Sequence, residues 1–191
     1  MRCGKPVRRE ETEYCSDCEK TKFTYDRGKS LYLHQEPVSR AIYQFKFHNK
    51  RIYGEYFAEE MAKEYSRQIR KWEITEIVPV PLHPKKRKKR GYNQAEILAC
   101  ELGKILNIPV NSRCIYRVEN TTPQKELNDK ERRRNLRRAF AIDPEWEPGG
   151  NVLIIDDIYT TGSTIDAMSR LLKKKGTPKV YFLTVSIGQG N

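Results

Sequence analysis

Residues 1–22 carry almost no aliphatic side chains and cannot build a core of their own. Leu31 and Leu33 then alternate with Tyr32 and His34, which predicts a strand or a hairpin within residues 23–33. The spacing next predicts helices over 37–47 and 53–72. In the second, Phe57, Met61, Ile69 and Trp72 recur at helical intervals with charges between them. From residue 74 the pattern changes. Residues 76–80 read as a short apolar strand, followed by a basic loop. A helix then starts at about Asn93, a good N-cap, with Ala95, Leu98, Ala99, Leu102 and Leu106 on one face. Another strand is expected within 109–116. Residues 119–135 are polar, charged and poor in apolar side chains, and a loop that long in a compact domain is functional or disordered. Beyond it the pattern gives a strand at 138–142, a turn at 144–150, a strand at 152–156, a helix at 162–175 and a buried strand at 179–187.

Strands alternating with helices of this length imply right-handed crossovers and a mostly parallel sheet, hence an α/β fold. Ligands of such sheets sit at the carboxyl ends of the strands. Asp156 and Asp157 fall at such an end.

Composition narrows the candidates. The chain has 191 residues, enough for one ordinary domain with a small appendage. Lys and Arg number 37 against 25 Asp and Glu, a formal charge of +12 that favours polyanionic partners. No apolar run approaches the ~20 residues of a membrane span, so membrane insertion is not expected. The opening Met1-Arg2-Cys3-Gly4-Lys5 lacks the apolar stretch of a signal peptide. A cytoplasmic location is the expectation, and there clustered cysteines suggest metal rather than disulfides.

The segment V-L-I-I-D-D-I-Y-T-T-G-S-T, residues 152–164, carries the chemistry. It has one glycine and no lysine, so it is not a Walker loop. A hydroxyl-rich turn at a helix N-terminus can hold one terminal phosphate through backbone N–H groups, the helix dipole and its own hydroxyls. Adjacent carboxylates accept hydrogen bonds from vicinal hydroxyls and help hold Mg²⁺. Together they read as a ribose-5-phosphate site.

This segment resembles the phosphoribosyl pyrophosphate (PRPP) signature of type I phosphoribosyltransferases. V-P-V-P-L at 78–82 and R-G-Y-N-Q-A at 90–95 resemble the competence protein F (ComF) family. Thr122, Pro123, Gln124 and Leu127, then Arg132, Asn135, Ala139 and Phe140, fit the same pattern. The resemblance runs over about residues 1–188. It implies a phosphoribosyltransferase-like domain at 23–191 after a cysteine knuckle at 1–22. It implies that Asp156 and Asp157 hold ribose hydroxyls and Mg²⁺, and that Thr160, Thr161, Gly162, Ser163 and Thr164 hold the 5′-phosphate. A pyrophosphate loop over 81–86 would use Pro81 and Leu82, with Lys86 and Arg90 as its cations; in related enzymes this loop often contains a cis non-proline peptide. Residues 119–135 would be a lid that brings Gln124 and Arg132 to PRPP.

Cys15-x-x-Cys18 has metal-ligand spacing, and Cys3-Gly4-Lys5 resembles the second half of a C-x-x-C-G-K knuckle. The family resemblance implies a structural Zn²⁺ on four cysteines, and the expected first cysteine would fall one residue before Met1. Three readings stay open: a start that lies further upstream, three cysteines with another ligand such as His34 or His48, or a degenerate site. Cys100 and Cys114 are expected as buried small hydrophobes.

Two function classes follow. One is transfer of phosphoribosyl from Mg²⁺-PRPP to an acceptor that the sequence does not name. The other is a non-catalytic protein, a PRPP-responsive regulator or a handler of single-stranded DNA that works with competence machinery proteins in natural transformation. Basic residues 85–90 and 132–138, with Tyr43, Phe45, Phe47 and Tyr92 as stacking partners, are the features that support DNA.

Overall fold

The structure, a computed structural model, describes residues 2–6, 14–118 and 139–188. A short helix α1 (Ser16–Lys20) precedes strand β1 (Arg27–Leu33) and helices α2 (Val38–Phe47) and α3 (Ile52–Lys71). Strand β2 (Ile74–Pro79), helices α4 (Pro84–Arg90) and α5 (Gln94–Leu106) and short strands β3 (Ile115–Arg117) and β4 (Phe140–Ile142) follow. The chain closes with β5 (Asn151–Tyr159), α6 (Ser163–Lys174) and β6 (Val180–Ile187).

Four strands form one all-parallel sheet in the order β1-β6-β5-β2, and β3 and β4 form a separate antiparallel pair. The fold is therefore the expected α/β one, a mostly parallel sheet flanked by helices. Its central strand shows why. Successive side chains of a strand point to opposite faces. In β5, Val152 and Ile154 pack into one core with Tyr159, Met168 and Phe182, against α6. Leu153 and Ile155 pack into the other with Phe57, Met61, Leu98 and Leu183, against α3 and α5. Both faces are covered, so the strand reads as an unbroken apolar run. Leu153, Ile154 and Ile155 have no exposed surface, and each stabilises the fold by about 1.5–3 kcal/mol.

Local signals set several boundaries. Asn93 caps α5, with its Oδ1 accepting from Ala95 N–H at 3.2 Å, while its Nδ2 donates to the Val80 carbonyl at 2.9 Å. Residues 23–33 hold a single strand, β1 over Arg27–Leu33, rather than a hairpin, and it pairs in parallel with β6. Within 109–116 the expected strand divides. Val110 makes an isolated bridge to Ile77, and Asn111 then turns the chain by accepting from the N–H groups of Arg113 and Cys114 before β3 begins.

Residues 84–90, expected as loop, are helical. His83 accepts from Lys85 N–H at 3.2 Å, Pro84 occupies the first turn, and Gly91 closes the helix at φ 80°. Start and stop signals prevail over the repulsion of six adjacent cations. Cys114 is buried as expected, whereas Cys100 is only partly buried. The expected lid at 119–135, with Gln124 and Arg132, lies outside the described residues.

Candidate functional site

Strand β5 continues past the aspartates to Tyr159, still paired with β6 through Asp156↔Thr184 and Tyr159↔Ile187. Its pairing with β2 stops at Ile155. Asp156 and Asp157 therefore stand where the sheet opens on one side. Asp157 N–H donates to Asp156 Oδ1 at 2.8 Å. Asp157 Oδ1 lies 2.8 Å from Lys46 Nζ, and both side chains are mostly buried. Burial, then the adjacent Asp157 charge, push the Asp156 carboxyl up to about 7, while Lys46 and Arg117 pull it back down.

The turn that follows is shaped by Gly162. Its φ of 74° suits glycine, and a Cβ there would lie 2.3 Å from the Tyr159 hydroxyl. Tyr159 cannot yield, because it is buried, stacked on Phe182 and hydrogen-bonded to Tyr25 at 2.6 Å. Thr160 and Thr161 are exposed, and Ser163 and Thr164 are half-buried. Thr161 and Ser163 share a hydroxyl contact of 2.9 Å. No side chain caps α6, and its first-turn acid, Asp166, instead accepts from Thr24 N–H at 2.6 Å and pairs with Arg170. Of the N–H groups that open α6, that of Ser163 donates to Thr161 Oγ1 in a long contact of 3.5 Å, which sets the hydroxyls beside the helix start.

The cations gather around the aspartates. Pro81 and Leu82 are half-buried in the connection from β2 to α4. Among the described residues the cis peptide is Glu36-Pro37, so the 81–86 connection lacks the cis non-proline bond that the resemblance implied. Lys86 and Arg90 lie on α4, not on a loop. Arg90 donates to Gln94 Oε1 at 2.9 Å. The Lys86 ammonium is held below its usual range, first by partial desolvation and then by the positive charges of Arg117, Arg90 and Lys46.

Two of these cations, Lys46 and Arg117, were not singled out from sequence. Lys46 sits on α2 after the fully buried Phe45, a cation inside an aromatic stretch, which was the available signal. Arg117 ends β3. Its Nε is buried with no hydrogen-bond partner among the described residues, and its guanidinium lies 5.5 Å from the Phe140 ring. The aromatics named as stacking partners separate. Phe45 and Tyr92 are buried, Tyr92 donating its hydroxyl to the Phe45 carbonyl, whereas Tyr43 and Phe47 are more than half exposed.

Cys3, Cys15 and Cys18 converge, with all three Sγ atoms within 4.8 Å of one another and Cys3 and Cys15 at 3.3 Å. Burial alone would raise the Cys15 thiol. Hydrogen bonds from the Cys18 and Asp17 backbone and from the Cys3 and Cys18 thiols outweigh it, and the thiol titrates lower than usual. Thiolates on so small a span fit a metal about 2.3 Å from each sulfur. No other His, Cys, Asp or Glu among the described residues joins them, His34 and His48 included. The cluster can hold a metal ion. Cys3 and Cys15 also pack in the same core as Phe23, Tyr25 and Tyr159.

No protein-family model matches the chain. Competence protein F of Haemophilus influenzae is 34% identical over 173 residues, covering 88% of this chain and 76% of that protein. The DNA utilization protein YhgH of Salmonella typhimurium is 29% identical over 181 residues, covering 93% of this chain and 79% of that protein. A purine phosphoribosyltransferase from Pyrococcus horikoshii Ot3 is similar in structure at 19% identity and a TM-score of 0.43, over 83% of this chain and 78% of that one. Fold and site define an α/β protein whose carboxylate pair and hydroxyl-rich turn gather at the carboxyl end of a central parallel strand. The chain belongs to the competence protein F family. Among the described residues no helix is long and apolar enough to cross a membrane.

Proposed function

We propose that the protein binds Mg²⁺-PRPP and transfers phosphoribosyl to an acceptor with release of pyrophosphate. One observation carries this reading: the cations Lys46, Lys86, Arg90 and Arg117 gather around Asp156 and Asp157 at the carboxyl end of β5, the strand that leads directly into the 160–164 turn. The carboxylates would hold the ribose hydroxyls and, with them, Mg²⁺. The turn and the opening of α6 would hold the 5′-phosphate. As the C1–O bond breaks, its electron pair leaves with pyrophosphate, and the surrounding cations with Mg²⁺ stabilise that charge. The acceptor's lone pair forms the new bond to C1, and its proton is released to solvent. Residues 119–135 would serve as the lid that excludes water, bringing Gln124 and Arg132 to PRPP.

In the same reading, residues 1–22 are a zinc knuckle on Cys3, Cys15 and Cys18, residues 23–191 are the transferase domain, and the protein works in the cytoplasm. The test is release of pyrophosphate from Mg²⁺-PRPP in the presence of a panel of nucleobases and nucleotides. Release by the wild type and none by Asp157→Asn supports transfer. PRPP binding without release by any acceptor would remove it.

A second reading rests on the exposed rings of Tyr43 and Phe47 beside the basic helix α4. There the protein handles single-stranded DNA alongside competence machinery proteins and keeps PRPP as a regulatory ligand. Such binding weakens steeply with salt, and affinity that is flat in salt would exclude it.

A further inference from the structure

The end of α2, the turn into α3 and the helix α4 enclose a cavity of about 750 Å³, a size ordinary for small-molecule sites. Among the described residues its lining includes Lys46, Arg51, Lys86, Lys89 and Arg90, and no carboxylate. Two flat surfaces stand among these charges. Arg90 lies 4.8 Å from the centre of the Phe47 ring, and Arg51 lies 4.8 Å from the centre of the Tyr92 ring. Phe47 is 55% exposed, two residues along α2 from the buried Phe45 and so on the opposite face of the helix. Lys46 lines the cavity and reaches Asp157 at 2.8 Å, so the cavity adjoins the carboxylate pair.

These features select a ligand class. A bare polyanion such as pyrophosphate gains nothing from an exposed aromatic wall. A neutral ring gains little from five cations. A flat ring that carries a phosphate uses both, the ring on Phe47 and the guanidinium planes, the phosphate on Lys89. We propose that this cavity binds a nucleoside monophosphate, with its base against Phe47, as the acceptor side of the site. Its role as acceptor rests on the phosphoribosyl reading above; its binding does not.

The experiment is calorimetric titration of AMP, of adenosine and of ribose 5-phosphate into the full chain, each repeated with Phe47→Ala and Lys89→Gln. Mg²⁺-PRPP is titrated in parallel. AMP binds the wild type more tightly than either of its halves. Phe47→Ala weakens AMP roughly 5- to 100-fold, the loss expected when a base loses an aromatic platform, and leaves Mg²⁺-PRPP unchanged. Lys89→Gln weakens AMP and spares adenosine. Phe47 is exposed, so its truncation leaves the core intact, which circular dichroism checks. The proposal is overturned if AMP does not bind or if Phe47→Ala leaves AMP affinity unchanged. AMP binding without Mg²⁺-PRPP binding would instead remove the phosphoribosyl reading and leave the nucleotide site standing.

Discussion

Two sets of cations meet near the aspartates, and they differ in kind. Helix α4 presents an unbroken basic run at 85–90, in which Lys85, Lys88 and Lys89 are exposed and Arg87 pairs with Glu96 across its surface. Lys46 and Arg117 are isolated in sequence and come from different elements. Lys46 is mostly buried against Asp157, and Arg117 keeps a buried Nε with no partner among the described residues. The run is conspicuous in the sequence and cheap to solvate. The isolated pair is inconspicuous and costly, because a cation withdrawn from water must be matched by something. Cost is the better guide to function: a buried charge is maintained by a partner, in the fold or in a ligand.

The sharpest way to break this comparison is to remove one cation from each set. Arg117→Met should weaken Mg²⁺-PRPP by about 100-fold, the scale of a charged hydrogen-bonding group lost from a desolvated site, whereas Lys85→Gln/Lys88→Gln should change it less than about threefold. Equal losses from both variants, measured by calorimetry, would show that burial does not distinguish the two sets.

Next in size is the ion pair itself. Lys46→Met leaves Asp157 without its cation and should cost about 2–3 kcal/mol in urea unfolding near pH 8. The loss should shrink when Mg²⁺-PRPP is present, since the ligand's metal replaces the ammonium. Unchanged stability would mean that solvent already screens Asp157.

The Asp156 carboxyl supplies a pH test. Its value in the fold, about 7, lies above the ordinary 3.8. Its contribution to stability is therefore fully present below pH 3.8 and is lost as pH rises through 7. The free protein should lose on the order of 1–2 kcal/mol between pH 5.5 and pH 8, and Asp156→Asn should flatten that part of the profile. Mg²⁺-PRPP affinity should move the opposite way, rising across the same window as the carboxylate ionises. A parallel decline of both would contradict the account.

The smallest effect belongs to the exposed set. Arg87→Ala removes the 3.0 Å contact with Glu96, and with Arg87 more than half exposed it should cost less than about 1 kcal/mol.

What the sequence made legible follows the same division. The apolar run of β5, the two aspartates and the hydroxyl turn are contiguous, so pattern and chemistry could be read together. The Asn93 cap was legible for the same reason. Helix α4 was misread because six charges drew attention from His83-Pro84 and Gly91, which are its start and stop signals. Lys46 and Arg117 acquire meaning only when α2 and β3 are folded against the end of β5, and no local pattern encodes that. The boundary of β5 was short for a related reason. Polar Asp156 and Asp157 looked like the end of a strand, yet pairing with β6 holds them in register through Tyr159.

The most direct test of the central claim is calorimetric titration of Mg²⁺-PRPP into the wild type and into Asp156→Asn/Asp157→Asn. Binding to the wild type alone, with the fold of the variant intact by circular dichroism, is the predicted result. Absence of binding to both, or equal binding to both, would contradict the assignment of this strand end as a phosphoribosyl site.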